Sequence, residues 1–338
     1  MYIENNITRK QISIWLLFMF FLIVLMIVVG GLTRLTDSGL SITKWELFSG
    51  TFPPFNEKQW ANYFEQYKLI PEFQIQNYSM TLGEFKIIFW WEWAHRFLGR
   101  LIGICFILPL IYFTFKINFK KLIKFYFIFF LICFQGFLGW YMVSSGLVDR
   151  VDVSHFRLSL HLIVAFFILS LIFWNYLKLN ISVDHNLQLN IFYPLFFLFL
   201  IFLQIIIGAF VSGMDAGLIY NSWPLMGNSY FPNDNKFINL FYISALSDAS
   251  LVQFLHRNLA YFILIFYILT LIKVYKLKIK NSFFAINILG IFLLSQVILG
   301  ILTLINGVQI ILASMHQISS IFLVCASIYF LYLNKKLT

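Results

Sequence analysis

The chain has 338 residues, 61% of them hydrophobic and 11% charged, with 42 phenylalanines and a net charge of +10. No soluble domain of this size hides that much apolar surface, so most of it must face lipid. The positive charge is no nucleic-acid footprint, because it gathers in short connections on one side of the predicted spans.

Windows of about 20 apolar residues, enough for a helix to cross a bilayer with its backbone hydrogen bonds internal, recur eight times. The first covers 13–33. Its apolar run from Ile12 to Gly31 is too long for a signal-peptide h-region, and no small-x-small cleavage site follows, so it reads as a retained helix. A long outer connection over 34–92 comes next. Within it Asp37 shapes a turn ahead of Gly39. Trp60, Tyr63, Phe64 and Tyr67 recur at helical spacing and predict a short amphipathic helix on the lipid headgroups. Thr81 and Glu84 have the spacing of a capping box, which starts a helix at Leu82. Spans at 93–115, 123–143 and 157–178 follow. The remaining four lie at 190–211, 252–272, 283–305 and 313–333, with a second long outer connection over 212–251.

With the N-terminus inside, the inner segments hold thirteen Lys and Arg against Glu4 and Asp184, and the remainder holds eleven basic and twelve acidic residues. That contrast of +11 against −1 puts both termini in the cytoplasm. Cys105, Cys133 and Cys325 all fall within spans and form no CxxC pair, so no disulfide framework is expected.

The chain repeats itself. Gly30, Asp37, Gly39, Leu40 and Trp45 match Gly208, Asp215, Gly217, Leu218 and Trp223 at a constant offset of 178. His95-Arg96 matches His256-Arg257 at 161, as Gln135, Gly139 and Gly146 match Gln296, Gly300 and Gly307. His161 matches His316 at 155. The ordered series predicts an all-α integral membrane protein of eight transmembrane helices, built as two pseudo-repeated four-helix bundles over 1–180 and 181–338.

The second, fourth, sixth and eighth spans all run from outside to inside, and each has a histidine near its start: His95, His161, His256 and His316. An ionisable side chain inside a span is costly and marks a functional site by default. Neutral imidazoles on facing helices can supply both axial positions of a haem, which predicts two pockets at similar depth near the outer face. Four separate interhelical hydrogen bonds are the competing structural reading. Gly99 and Gly103, one turn apart below His95, would let a flat ligand or another helix approach closely. Arg96 and Arg257, with Arg100 and Arg157 close by, either pair with haem propionates or snorkel to the interface. Glu92 breaks the symmetry. It stands one turn before His95, and its repeat mate is Gln253, which cannot ionise. The first pocket is therefore expected to do chemistry and the second to hold a fixed cofactor, unless Glu92 only neutralises Arg96 or Lys86. The tryptophans at 90, 91 and 93 form an interfacial belt or wall the first pocket. His155 and His185 have no repeat partners and are read as bystanders.

These residues resemble the heme A synthase family, of the alphaproteobacterial and mitochondrial type. The resemblance rests on Glu84-Phe85-Lys86, Trp91-Glu92-Trp93-Ala94-His95-Arg96 and Gly99-Arg100. It rests further on Gly30-Gly31-Leu32-Thr33-Arg34, Asp37-Ser38-Gly39-Leu40-Ser41 and Arg157-Leu158-Ser159-Leu160-His161-Leu162. In the second half it rests on Asn221-Ser222-Trp223-Pro224-Leu225-Met226 and His256-Arg257, so it covers nearly the whole chain. It implies a haem b cofactor in the C-terminal half with His256 and His316 as axial ligands, and substrate haem O in the N-terminal half with His95 and His161 at the iron. The implied reaction is oxidation of the C8 methyl of haem O to a formyl group, giving haem A for cytochrome oxidase, with Glu92 as the essential acidic residue. The Gram-positive branch carries cysteine pairs in its outer loops; this chain has none there. The implied location is a bacterial inner membrane, with the mitochondrial one as alternative. Candidate partners are an electron-transfer protein, heme O synthase, cytochrome oxidase assembly factors and a second copy of the chain.

Two other functions fit parts of the pattern. A dihaem b electron carrier would need the same histidine pairs, but such carriers stack haems at both membrane faces. A transporter would need helices broken near the midplane in matching places, and Pro109 and Pro194, the prolines within spans, are not repeat mates.

Overall fold

The computed structural model describes residues 6–45, 49–148, 151–183 and 188–335. Glu4, Asp184, His185 and Lys336 lie outside them. Ten α-helices are described: α1 (Asn6–Leu35), α2 (Glu57–Tyr67), α3 (Pro71–Ile75), α4 (Leu82–Thr114), α5 (Phe119–Gly146), α6 (His155–Asn180), α7 (Phe192–Gly213), α8 (Ala249–Lys276), α9 (Lys280–Ile305) and α10 (Ile310–Asn334). All but α2 and α3 are long and apolar enough to cross a membrane, so the chain is an all-α integral membrane protein with the eight expected spans.

The chain groups into two compact units. One is Phe21–Ala165; the other holds the described residues up to Phe20 and those from Phe166 onward. The expected boundary between repeats falls at the end of α6.

In the first unit α4 starts at Leu82, as the capping box predicts, and so extends ahead of the apolar window at 93–115. The capping box explains the extension: the Thr81 hydroxyl accepts from the Glu84 amide, and the Glu84 carboxylate accepts from the Thr81 amide at 2.8 Å. The added turns carry Phe85 and Phe89, and α2 packs on them. Trp60 meets Phe89 edge-on at 4.9 Å, and Phe64 and Tyr67 lie 5.1 and 5.2 Å from Phe85. The apolar stripe of α2 is thus buried against protein, which corrects its expected seat on the headgroups. Burying three large aromatics on an existing helix outweighs lipid contact, because aromatic pairing adds about 1 kcal/mol beyond area.

This cap also encloses a carboxyl group that no sequence pattern announced. Glu72 on α3 accepts from the Tyr67 hydroxyl at 2.8 Å and from Asn77 at 3.3 Å. Burial pushes its carboxyl up to about 8, with the Tyr67 hydrogen bond pulling the other way.

In the second unit α7 packs on α8, α8 on α9, α9 on α10 and α10 back on α7, closing a four-helix ring. The turn after α7 puts Asp215 at φ 49°, and the turn after α1 puts Asp37 at φ 46°. Left-handed backbone suits Asp because its short side chain tolerates that region. Both expected turns are therefore present, at repeat-matched positions.

Candidate functional site

The N-terminal site is built from four helices. His95 projects from α4 against Gly30 of α1, and His161 projects from α6 against Gly139 of α5. A Cβ on Gly30 would lie 3.1 Å from Nε2 of His95, and one on Gly139 would lie 3.2 Å from Cε1 of His161. Only a residue without a side chain leaves each ring its place, which gives both glycines a packing role. The Gln135 amide donates to the His161 carbonyl at 2.9 Å and ties α5 to α6. The two imidazole centres stand 6.3 Å apart with their planes at 66°. An imidazole–metal bond of about 2 Å on each side, plus the inner half of each ring, puts opposed ligands of one iron roughly 6 Å apart centre to centre. That spacing leaves room for one iron between the two rings, so the pair could hold a haem.

Glu92 is buried at 2% exposure, one turn above His95, and its carboxylate is held from both sides. Oε1 accepts from Arg96 Nε at 3.0 Å and Nη2 at 2.6 Å. Oε2 accepts from the Ser41 hydroxyl and the Ile42 amide, each at 2.7 Å. Arg96 also donates to the carbonyls of Ile42 at 2.8 Å and Lys44 at 3.3 Å. Four donors on one carboxylate fix its direction. Lys86, the other expected counter-ion, pairs instead with Glu57 at 3.1 Å.

The C-terminal site repeats the frame. A Cβ on Gly208 or Gly300 would lie 3.1 Å from Cε1 of His256 or His316. Gln296 donates to the His316 carbonyl at 2.8 Å, as Gln135 does to His161. Arg257 donates to the carbonyls of Tyr220 and Ser222, each at 2.9 Å. Its Nε is buried without a hydrogen-bond partner among the described residues, as is Nδ1 of His316. Gln253 replaces the carboxylate and donates to the Tyr220 carbonyl at 3.0 Å. Gln204, which sequence reasoning passed over, reaches the His256 carbonyl at 3.0 Å and its ring nitrogens at 3.2 and 3.3 Å. The mate of Gln204 at offset 178 is Met26, so this contact belongs to one half alone. A flat iron-bearing ligand fits the donor set: two imidazoles cradled by glycine, and an arginine edge with a donor to spare.

Other expected residues make contacts of their own. Arg157 stacks its guanidinium over Tyr141 at 4.5 Å. Trp90 and Trp93 join the aromatic packing beneath α2, with Trp90 5.9 Å from Trp60 and 5.3 Å from Trp93. Ser41 and Ile42 were also passed over as Glu92 partners, although Ser41 lay in a singled-out motif.

Comparison with known proteins identifies the family. A family described as cytochrome oxidase assembly protein matches residues 13–328. The heme A synthase of Pelagibacter ubique is 51% identical over 340 residues, covering 99% of each chain. That of Rickettsia bellii is 44% identical over 338 residues, 97% of this chain and 99% of the relative. That of Flavobacterium psychrophilum is 42% identical over 346 residues, 98% of this chain and all of the relative. On matches of that extent, over a fold with eight spans and two repeated histidine frames, this chain belongs to the heme A synthase family.

Proposed function

We propose that the chain is the membrane oxidoreductase that converts haem O to haem A for cytochrome oxidase, oxidising the C8 methyl to a formyl group. The observation that carries this reading is the asymmetry of two otherwise matched frames. A fixed carboxylate stands beside one histidine pair, and an amide stands at its place beside the other.

His95 and His161 hold the substrate's iron, in the half spanning 1–180. His256 and His316 hold haem b, in the half spanning 181–338. Haem b, when bound, supplies one-electron redox capacity that side chains lack. Arg96 and Arg257 stand at the same place in the two frames and offer guanidinium to propionates. Arg257 has the stronger claim, because the charge of Arg96 is already matched by Glu92. Glu92 stabilises positive charge that develops on the substrate as electrons leave the methyl carbon, an effect magnified where water is excluded. The dihaem carrier predicts two equivalent pockets and has no use for this carboxylate.

The location is a bacterial inner membrane, with both termini cytoplasmic and both pockets toward the outer face. Heme O synthase, an electron-transfer protein, oxidase assembly factors and a second copy of the chain are the partners to test.

Glu92→Gln is the direct test. The variant is expected to fold and bind haem, to make roughly 100-fold less haem A, and to accumulate haem O or half-oxidised haem in extracted pigment. Normal haem A from that variant overturns the catalytic role of Glu92.

A further inference from the structure

We propose that Ser41 is a positioning residue for the reaction: its hydroxyl, with the Ile42 amide, aims the Glu92 carboxylate at the substrate pocket. The inference rests on the reading of Glu92 as the acid of that pocket.

The Ser41 hydroxyl has one hydrogen to give and three acceptors in reach. These are Glu92 Oε2 at 2.7 Å, the Ser38 carbonyl at 3.3 Å and the Ile88 carbonyl at 3.4 Å. The shortest contact is to the charged oxygen, where the hydrogen is worth most. Ser41 is 1% exposed, so no water stands in for it when it is removed. Without it, Oε2 keeps only the Ile42 amide, while Arg96 still holds Oε1 twice. The carboxylate is then free to turn into an ordinary ion pair with Arg96.

The second half acts as an internal control. Ile42, Lys44 and Arg96 correspond to Tyr220, Ser222 and Arg257, and the arginine clasps the two carbonyls in both halves. The clasp therefore needs no carboxylate and no serine. What changes together is the pair: where Glu92 gives way to Gln253, Ser41 gives way to Ile219, which has no donor to offer. The hydroxyl accompanies the carboxylate rather than the loop fold.

The experiment compares Ser41→Ala, Ser41→Thr and Glu92→Gln in the full-length protein. Two quantities are read: the haem A fraction of extracted pigment, and hydrogen exchange at the Ile42 amide in the purified protein. Ser41→Ala is expected to lower the haem A fraction about tenfold at unchanged total haem, and to speed Ile42 exchange by a similar factor. Ser41→Thr keeps the hydroxyl and is expected to restore both. Parental haem A or parental Ile42 protection in Ser41→Ala overturns the proposal. So does loss of total haem that Ser41→Thr fails to rescue, which marks a purely structural serine. A defective Glu92→Gln beside a normal Ser41→Ala sinks only the positioning role, whereas a normal Glu92→Gln sinks the reading of Glu92 itself.

Discussion

Glu72 offers a perturbation whose size follows from its surroundings. Its carboxyl moves from 4.5 to about 8 on folding of the cap, so the folded cap holds that proton more tightly by at most about 5 kcal/mol. The sign follows from a raised acid. The contribution of Glu72 to stability is fully present below 4.5, shrinks as pH climbs, and is gone above about 8. Replacing Glu72 with Gln keeps an acceptor for Tyr67 and removes the ionisation. Tyr67 and Asn77 stay satisfied, because Asn77 also donates to the Tyr67 hydroxyl at 2.8 Å. Hydrogen exchange across α2 and α3, followed from pH about 5 to about 9 and corrected for intrinsic rates, reads the opening free energy of the cap. The parent should lose protection up to pH about 8 and then level off, and Glu72→Gln should stay flat and be the better protected of the two at the alkaline end. Parallel slopes in the two proteins would refute the assignment of the buried proton to Glu72.

The glycine cradles make two further predictions. Gly300→Ala places a methyl 3.1 Å from Cε1 of His316 and pushes the ring by a few tenths of an ångström. Haem b should be retained less well and its absorption bands should shift, while haem O still enters the other half; an unchanged spectrum contradicts this. Gly139→Ala does the same to His161 at 3.2 Å, so it should spare haem b and depress haem A output, read by pigment extraction.

Much of this was legible because a bilayer enforces it. Eight apolar windows became eight helices, since lipid leaves the backbone no other way to bond. The capping box at Thr81 and Glu84 and the turns at Asp37 and Asp215 are local signals, and they held without tertiary help. The seat of α2 was not legible. Its stripe of Trp60, Phe64 and Tyr67 looks the same whether it meets lipid or Phe85 and Phe89, and only the added turns of α4 decide between them. Glu72 was hidden for a related reason: a carboxylate beside a proline in an outer loop reads as solvated until packing closes over it. Among the site residues, the four histidines announced themselves by depth and repetition. Ser41 and the Ile42 amide did not, because their partner lies about 50 positions away in sequence. Their one visible trace is that Ser41 and Glu92 depart from the repeat together, as Ile219 and Gln253.

We propose that imidazole pairs hold iron in both halves while only one half consumes its haem. Haem extraction from the purified protein, made with and without a supply of haem O, tests this most directly. Without the supply, the protein should carry haem b alone, and His256→Ala or His316→Ala should remove it. With the supply, haem O and haem A should appear as well, and should vanish in His95→Ala or His161→Ala while haem b stays. Two equivalent haem b molecules per chain, indifferent to the supply, would contradict it.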